Sequence, residues 1–136
     1  MRLKQAVPWV VTVLALGAAA MLLLPARSAN GHHPDPRTDR EALALTVLPA
    51  ASLTGNPDAA EVYDIARQIP ETLDGLYCHC HCKESLGHRS LLTCFQSEHG
   101  SQCDICMGEV RLAAQMRQQR KTIAEIRAAV DKMYGS

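Results

Sequence analysis

The chain has 136 residues, 47% apolar, 21% charged and 4% aromatic, with 14 basic side chains against 14 acidic ones. That length holds one small domain and excludes most multidomain enzymes. Residues 1–29 carry Arg2, Lys4 and Arg27 and no acid, leaving 11 basic against 14 acidic side chains in 30–136, so no polybasic surface exists for nucleic acid.

Residues 5–26 are uncharged, and Arg2 and Lys4 stand before them. About 20 apolar residues suffice to span a bilayer and exceed the roughly 7–15 of a cleaved signal's apolar region. Residues 1–29 are therefore expected to be a signal peptide or a membrane anchor, touching the membrane through residues 6–25. Ala26-Arg27-Ser28 offers a passable cleavage site, so cleavage stays open. In both cases the charge bias keeps the N-terminus inside and predicts an extracytoplasmic location, periplasm or cell surface, for residues 30–136.

From residue 30 to 55, Pro, Gly, Asp and Ala dominate without sustained periodicity, which predicts a flexible linker. His32 and His33 read as solvated there ahead of the alternative that they capture a loose metal ion, and Ala42 to Leu48 as a short apolar patch able to dock as a helical turn or strand. Asn56 before Pro57 has the form of an N-cap followed by proline in the first turn. With Ala59, Val62, Ala66 and Ile69 on one face, it predicts a first helix near 57–69. Glu71 to Leu76 reads as a turn-rich connection.

All six cysteines, Cys78, Cys80, Cys82, Cys94, Cys103 and Cys106, then fall within 29 residues, together with His79, His81, His88 and His99. If Cys78-His79-Cys80-His81-Cys82 is extended, three sulfurs lie on one side and two imidazoles on the other. Sulfurs so placed do not readily pair among themselves, because a disulfide demands a particular separation and torsion. His79 and His81 are then expected to face solvent or to form a secondary ligand pair. After the Gly87 break, Leu91, Leu92, Cys94 and Phe95 mark a short helix that turns Cys94 inward.

Cys103-Asp104-Ile105-Cys106 opens an amphipathic helix through Val110, Leu112, Ala113 and Met116. At its N-terminus free backbone N–H groups and the helix dipole favour thiolate. Met107 and Met116 read as core. Thr122 and Glu125 form a capping box ahead of Ile123, Ile126, Val130 and Met133, and Gly135 closes that helix. The expected fold is all-α: a small Cys-rich helical domain over 56–136, behind the linker and the apolar segment.

Three chemistries suit so dense a thiol block: a metal site, a disulfide framework, and thiol–disulfide exchange. Thiolates suit Cu(I), Zn(II) and Fe–S clusters. Zinc closes with four ligands, so six cysteines with His88 and His99 leave several over. Cu(I) takes two or three sulfurs and shares thiolates between ions, which ranks copper first and zinc second. An Fe–S cluster comes third, since exported domains rarely receive one. The candidate metal ligands are Cys78, Cys80, Cys82, Cys94, Cys103, Cys106, His88 and His99. Three disulfides rank behind metal binding as an account of an even count in an oxidising compartment, and a mixed state, with one or two bridges and the remaining thiols binding metal, is a further alternative. An exchange enzyme would use Cys103 and Cys106. No GxSxG, phosphate loop or HExxH occurs, so catalysis outside redox chemistry has no residues to carry it.

The run Tyr77-Cys78-His79-Cys80-His81-Cys82, followed by His88, Leu91-Leu92-Thr93-Cys94-Phe95, His99-Gly100 and Cys103-Asp104-Ile105-Cys106, closes on Ile123-Ala124-Glu125-Ile126-Arg127 near Tyr134-Gly135. This pattern resembles the PCYCGC-motif proteins of bacteria, exported proteins or lipoproteins whose activity is not established. The similarity spans about 61–135. Tyr77, His79 and His81 stand where the motif's name has Pro, Tyr and Gly, and no lipid-bearing cysteine precedes Cys78. The resemblance implies a shared fold and export, with imidazoles added that change metal preference or supply a ligand. The expected function is an extracytoplasmic soft-metal carrier, buffer or delivery protein that exchanges its ion with a partner protein. A disulfide-stapled interaction module and a thiol oxidoreductase are the alternatives.

Overall fold

Asn56 accepts the backbone N–H of Ala59 at 3.1 Å, with Pro57 in the first turn, and this cap starts a helix over Pro57–Gln68. The computed structural model describes residues 32–135, and helix and turn account for its regular structure. In chain order the α-helices are α1 (Arg40–Thr46), α2 (Pro57–Gln68), α3 (Pro70–Asp74), α4 (Cys82–Leu86), α5 (Asp104–Gln118) and α6 (Ile123–Tyr134). Short 3₁₀ turns cover Ala50–Ser52, Leu91–Phe95 and Glu98–Gln102. The all-α expectation holds over the described residues. None of their helices is long and apolar enough to cross a membrane. The expected signal or anchor, residues 1–29, lies outside them.

Helices α2, α5 and α6 supply the core, through Val62, Tyr63, Val110, Ala113, Ile126 and Val130. Their apolar residues recur at three- and four-residue spacing, so each helix buries one stripe. Tyr63 is fully buried, edge-on to Phe95 at 4.9 Å between ring centres. Its hydroxyl donates to Ser97 O at 2.6 Å and accepts from Ser101 N at 3.1 Å, so the buried oxygen is satisfied. Met107 is buried and Met116 packs against the core, as expected. Gly108 on α5 faces the Tyr134 hydroxyl so closely that a Cβ there would collide with it, which lets α5 and α6 meet. Thr122 and Glu125 form the capping box, but Met133 on the same helix points to solvent.

Two expectations need correction. Glu71 to Leu76 is not an irregular connection, because Pro70 occupies the first turn of α3 and only Gly75 ends it. More consequentially, the stretch expected to be a flexible linker is packed into the fold. Asp39 caps α1 by accepting from Ala42 N at 3.0 Å, and Leu43, Val47 and Leu53 join the core.

Ahead of α1, residues 32–39 form an arm held by polar groups from distant elements. Fully buried Asp74 accepts from Arg37 Nε (3.1 Å) and both the backbone and guanidinium of that arginine at 2.8 Å, while Arg89 pairs with it at 2.7 Å. Burial alone would raise the Asp74 pKa, but the two guanidiniums and the hydrogen bonds hold it below the ordinary carboxylate range. Arg127 reaches from α6 to donate to Gly75 O (3.0 Å) and Pro34 O (2.7 Å). A Pro- and Asp-rich composition hid this because ion pairs, not apolar periodicity, dock the arm.

Candidate metal centre

Backbone donors shape the first cysteine segment. Tyr77 N–H donates to His33 Nδ1 and His79 N–H to Glu109 Oε1, both at 2.9 Å. His81 is left-handed, at φ 62° and ψ 23°, and turns the chain into α4 with Cys82 as its first residue. The segment is therefore not extended, and the expected division into a sulfur side and an imidazole side does not occur. The fold-back brings the Cα atoms of Cys80 and Cys82 to 5.5 Å, within the roughly 4.4–6.8 Å a disulfide accepts, and their sulfurs are bonded at 2.07 Å. The expectation that these sulfurs cannot pair assumed a straight strand.

Around that pair the other sulfurs converge. Cys78 Sγ lies 3.2 Å from Cys80 Sγ and 3.4 Å from Cys106 Sγ, which is itself 3.5 Å from Cys80 Sγ. Cys106 arrives from the first turn of α5, and Cys94, from the Leu91–Phe95 turn, stands 3.8 Å from Cys82. The Sγ atoms of Cys78, Cys80, Cys82, Cys94 and Cys106 all lie within 4.8 Å of one another. His99 Nε2 is 3.1 Å from Cys82 Sγ, and His88 Nδ1 is 3.3 Å from Cys94 Sγ.

Of the eight expected ligands, seven thus meet, in two overlapping groups. Cys103 stands outside both. Half-exposed, it is the N-cap of α5, its sulfur accepting the N–H of Cys106 at 3.3 Å.

The added histidines do not join the sulfurs. His81 is exposed, whereas His79, packed rather than solvated, places Nε2 3.1 Å from Asp131 Oδ1 on α6. His32 and His33 place theirs 3.0 and 2.9 Å from that same oxygen, so the reading of both as solvated fails for His33, whose side chain is fully buried. The Tyr77 N–H at His33 Nδ1 also rules on ligation. In the neutral ring the proton must then sit on Nε2, which donates to Asp131 and has no lone pair left for an ion.

Cys78 and Cys106 share a sulfur–sulfur hydrogen bond at 3.4 Å, and that bond holds the Cys78 pKa below its ordinary range while raising that of Cys106. Glu109 is fully buried on the same face of α5, and burial, reinforced by the Cys78 charge, pushes its pKa up to about 10. It is therefore a neutral acid at pH 7, and its Oε2 has no hydrogen-bond partner among the described residues. Sequence reasoning passed over Glu109, although an acid three residues after Cys106, inside the Val110 and Ala113 stripe, was a visible signal. With the Cys80–Cys82 bond reduced, the five sulfurs and the two imidazoles at their edge form a donor set able to take a soft or borderline metal ion.

No curated protein and no solved structure matches the chain. The family model described as a protein of unknown function with a PCYCGC motif matches residues 11–136. The Cys78-to-Cys82 segment, whose turn gathers the sulfurs, occupies the place of the motif that gives the family its description, and the chain belongs to the PCYCGC-motif family.

Proposed function

We propose that this protein is an extracytoplasmic soft-metal carrier, buffer or delivery protein, with Cu(I) as the first-ranked cargo and Zn(II) as the second. The observation that carries the reading is the convergence of five cysteine sulfurs within 4.8 Å of one another. Thiolate softness favours Cu(I), and sulfurs this close can be shared between ions. Placement outside the cytoplasm, and attachment to a membrane through residues 6–25, rest on the basic, then apolar, sequence of residues 1–29. Cys103, partly exposed and outside the sulfur group, offers a first contact for an ion passed to or from a partner protein.

One observation favours a second reading. The bonded Cys80–Cys82 pair is what a disulfide-stapled interaction module would contain. A free-thiol count with metal analysis, on protein exported to its native compartment and purified without reductant or chelator, separates the two. The carrier reading expects stoichiometric copper or zinc and thiols released on chelation, and expects Cys80→Ser to lower both metal content and thermal stability. Blocked thiols with no metal, or a Cys80→Ser protein with unchanged stoichiometry, would overturn it in favour of the staple.

A further inference from the structure

The part of the thiol block after His81 contains a donor set different in kind from the sulfur group. Cys82 begins α4, His88 follows its Gly87 terminus, Cys94 lies on the Leu91–Phe95 turn and His99 on the Glu98–Gln102 turn. Their four donor atoms lie within 4.8 Å of one another, two sulfurs and two imidazole nitrogens. The sulfurs stand 3.8 Å apart, and each nitrogen faces one sulfur, at 3.1 and 3.3 Å. A tetrahedral ion with metal–sulfur bonds of about 2.3 Å and metal–nitrogen bonds of about 2.0–2.1 Å sets a sulfur–sulfur edge near 3.8 Å and sulfur–nitrogen edges near 3.5 Å. The sulfur–sulfur edge agrees, the two facing sulfur–nitrogen edges need only a few tenths of an ångström of expansion, and the remaining edges lie within 4.8 Å.

The two histidines differ from His33 in a way that matters. His33 has its second nitrogen occupied by a backbone donor, which forces the proton onto the first. Among the described residues the His88 and His99 rings have no hydrogen-bond partner but the facing cysteine. Each can therefore keep its proton on the far nitrogen and present a lone pair to an ion. The rings stand at 81° with centres 5.1 Å apart, directed at the sulfurs from two sides.

We infer that Cys82, Cys94, His88 and His99 form a closed Cys2His2 site for a borderline divalent cation of the zinc class, beside a softer site made by Cys78, Cys80 and Cys106. This deepens the metal-carrier reading and rests on the thiol block being a metal centre. It divides the block by softness: imidazole with thiolate for the divalent ion, thiolate alone for Cu(I). It also gives the divalent ion a structural role. Helix α4 and the two turns are five residues each, too short to stand alone, and one four-coordinate ion ties all three together.

The loaded form is the reduced one, because Cys82 is bonded to Cys80 here. Opening that bond takes two electrons and two protons from a dithiol, which leaves as its own disulfide, and the ion then displaces the protons of Cys82 and Cys94.

The test titrates the full-length chain, reduced with a dithiol, with Co(II), then Zn(II), and separately with Cu(I). Wild type, the double variant His88→Ala/His99→Ala, and Cys106→Ser are compared, with circular dichroism to follow folding. Wild type is expected to give tetrahedral cobalt bands at one equivalent, displaced by zinc. The double histidine variant should lose roughly 100-fold or more in cobalt affinity while still taking up Cu(I). Cys106→Ser should keep the cobalt bands and lose Cu(I), a readout that stands even if the histidine variant unfolds. Absence of tetrahedral cobalt in wild type, bands unchanged in the histidine variant, or bands lost in Cys106→Ser would overturn the inference. If Cu(I) binds wild type while cobalt does not, the division alone fails. Cobalt bound without Cu(I) would instead sink copper as the cargo and leave the Cys2His2 site standing.

Discussion

Tyr77 N–H, held at 2.9 Å from His33 Nδ1, fixes both the tautomer of that ring and its response to acid. Burial, partly opposed by the Asp131 carboxylate, lowers the His33 pKa from 6.5 to about 4. The unfolded chain therefore takes up a proton that the folded ring refuses. Stability from this residue is fully present above pH 6.5 and is lost as pH falls from there towards 4, by about 3 kcal/mol. His88, whose pKa burial also lowers, acts in the same direction. Asp131 is lowered below its ordinary range, so its own loss comes at more acid pH. His33→Asn offers an amide oxygen to Tyr77 N–H and does not titrate. Urea unfolding at pH 7 and pH 4.5 should show a steep loss of midpoint in wild type and a smaller one in His33→Asn. Equal slopes would remove His33 from the account.

At the level of elements, the turn before α4 explains a letter in the family's motif. His81 occupies the place of the motif's glycine and adopts φ 62°, a conformation glycine reaches without the penalty paid by residues that carry a Cβ. Its ring is exposed and ligates nothing here. His81→Gly should therefore raise stability by about 1 kcal/mol and leave metal stoichiometry unchanged, which thermal melts of apo and loaded protein would check. A fall in metal content would instead make the imidazole a ligand. The same residue marks the boundary of what the sequence discloses. The caps at Asn56 and Thr122, the inward turn of Cys94 and the helical start that carries Cys106 were all readable, because each rests on neighbours a few residues apart. The path of residues 78–82 was not read, since the alternation of Cys and His suggested a strand and the motif's glycine at the place of His81 was the one sign of a left-handed turn, and with it went the pairing of Cys80 and Cys82.

Across the whole molecule, the unreadable part was long-range and polar. Arg37 meets Asp74 across 37 residues and Tyr77 meets His33 across 44, and no local periodicity records such pairs. Asp74 is the centre of that assembly, a fully buried carboxylate facing two guanidiniums that are themselves partly in water. Asp74→Asn removes the charge but not the shape. It should cost about 2–3 kcal/mol, less than an ion pair buried at both ends, because Arg37 and Arg89 can turn to solvent. Limited proteolysis should then cut within residues 32–39 while the core helices stay protected. Resistance equal to wild type would mean that Arg127 and His33 hold the arm without Asp74.

That arm also determines where mechanical load enters. Its first contacts are His32 and His33, with the His32 ring edge-on to the rings of Tyr77 and His79. Traction on the chain ahead of residue 32 is therefore received at two points, Asp131 on α6 and the peptide next to Cys78, at the head of the segment that carries three of the six sulfurs. The arm works as a strap whose buckle joins the thiol segment, through Tyr77, to Asp131 on α6, so a pull strong enough to open it loads the sulfurs and the last helix together.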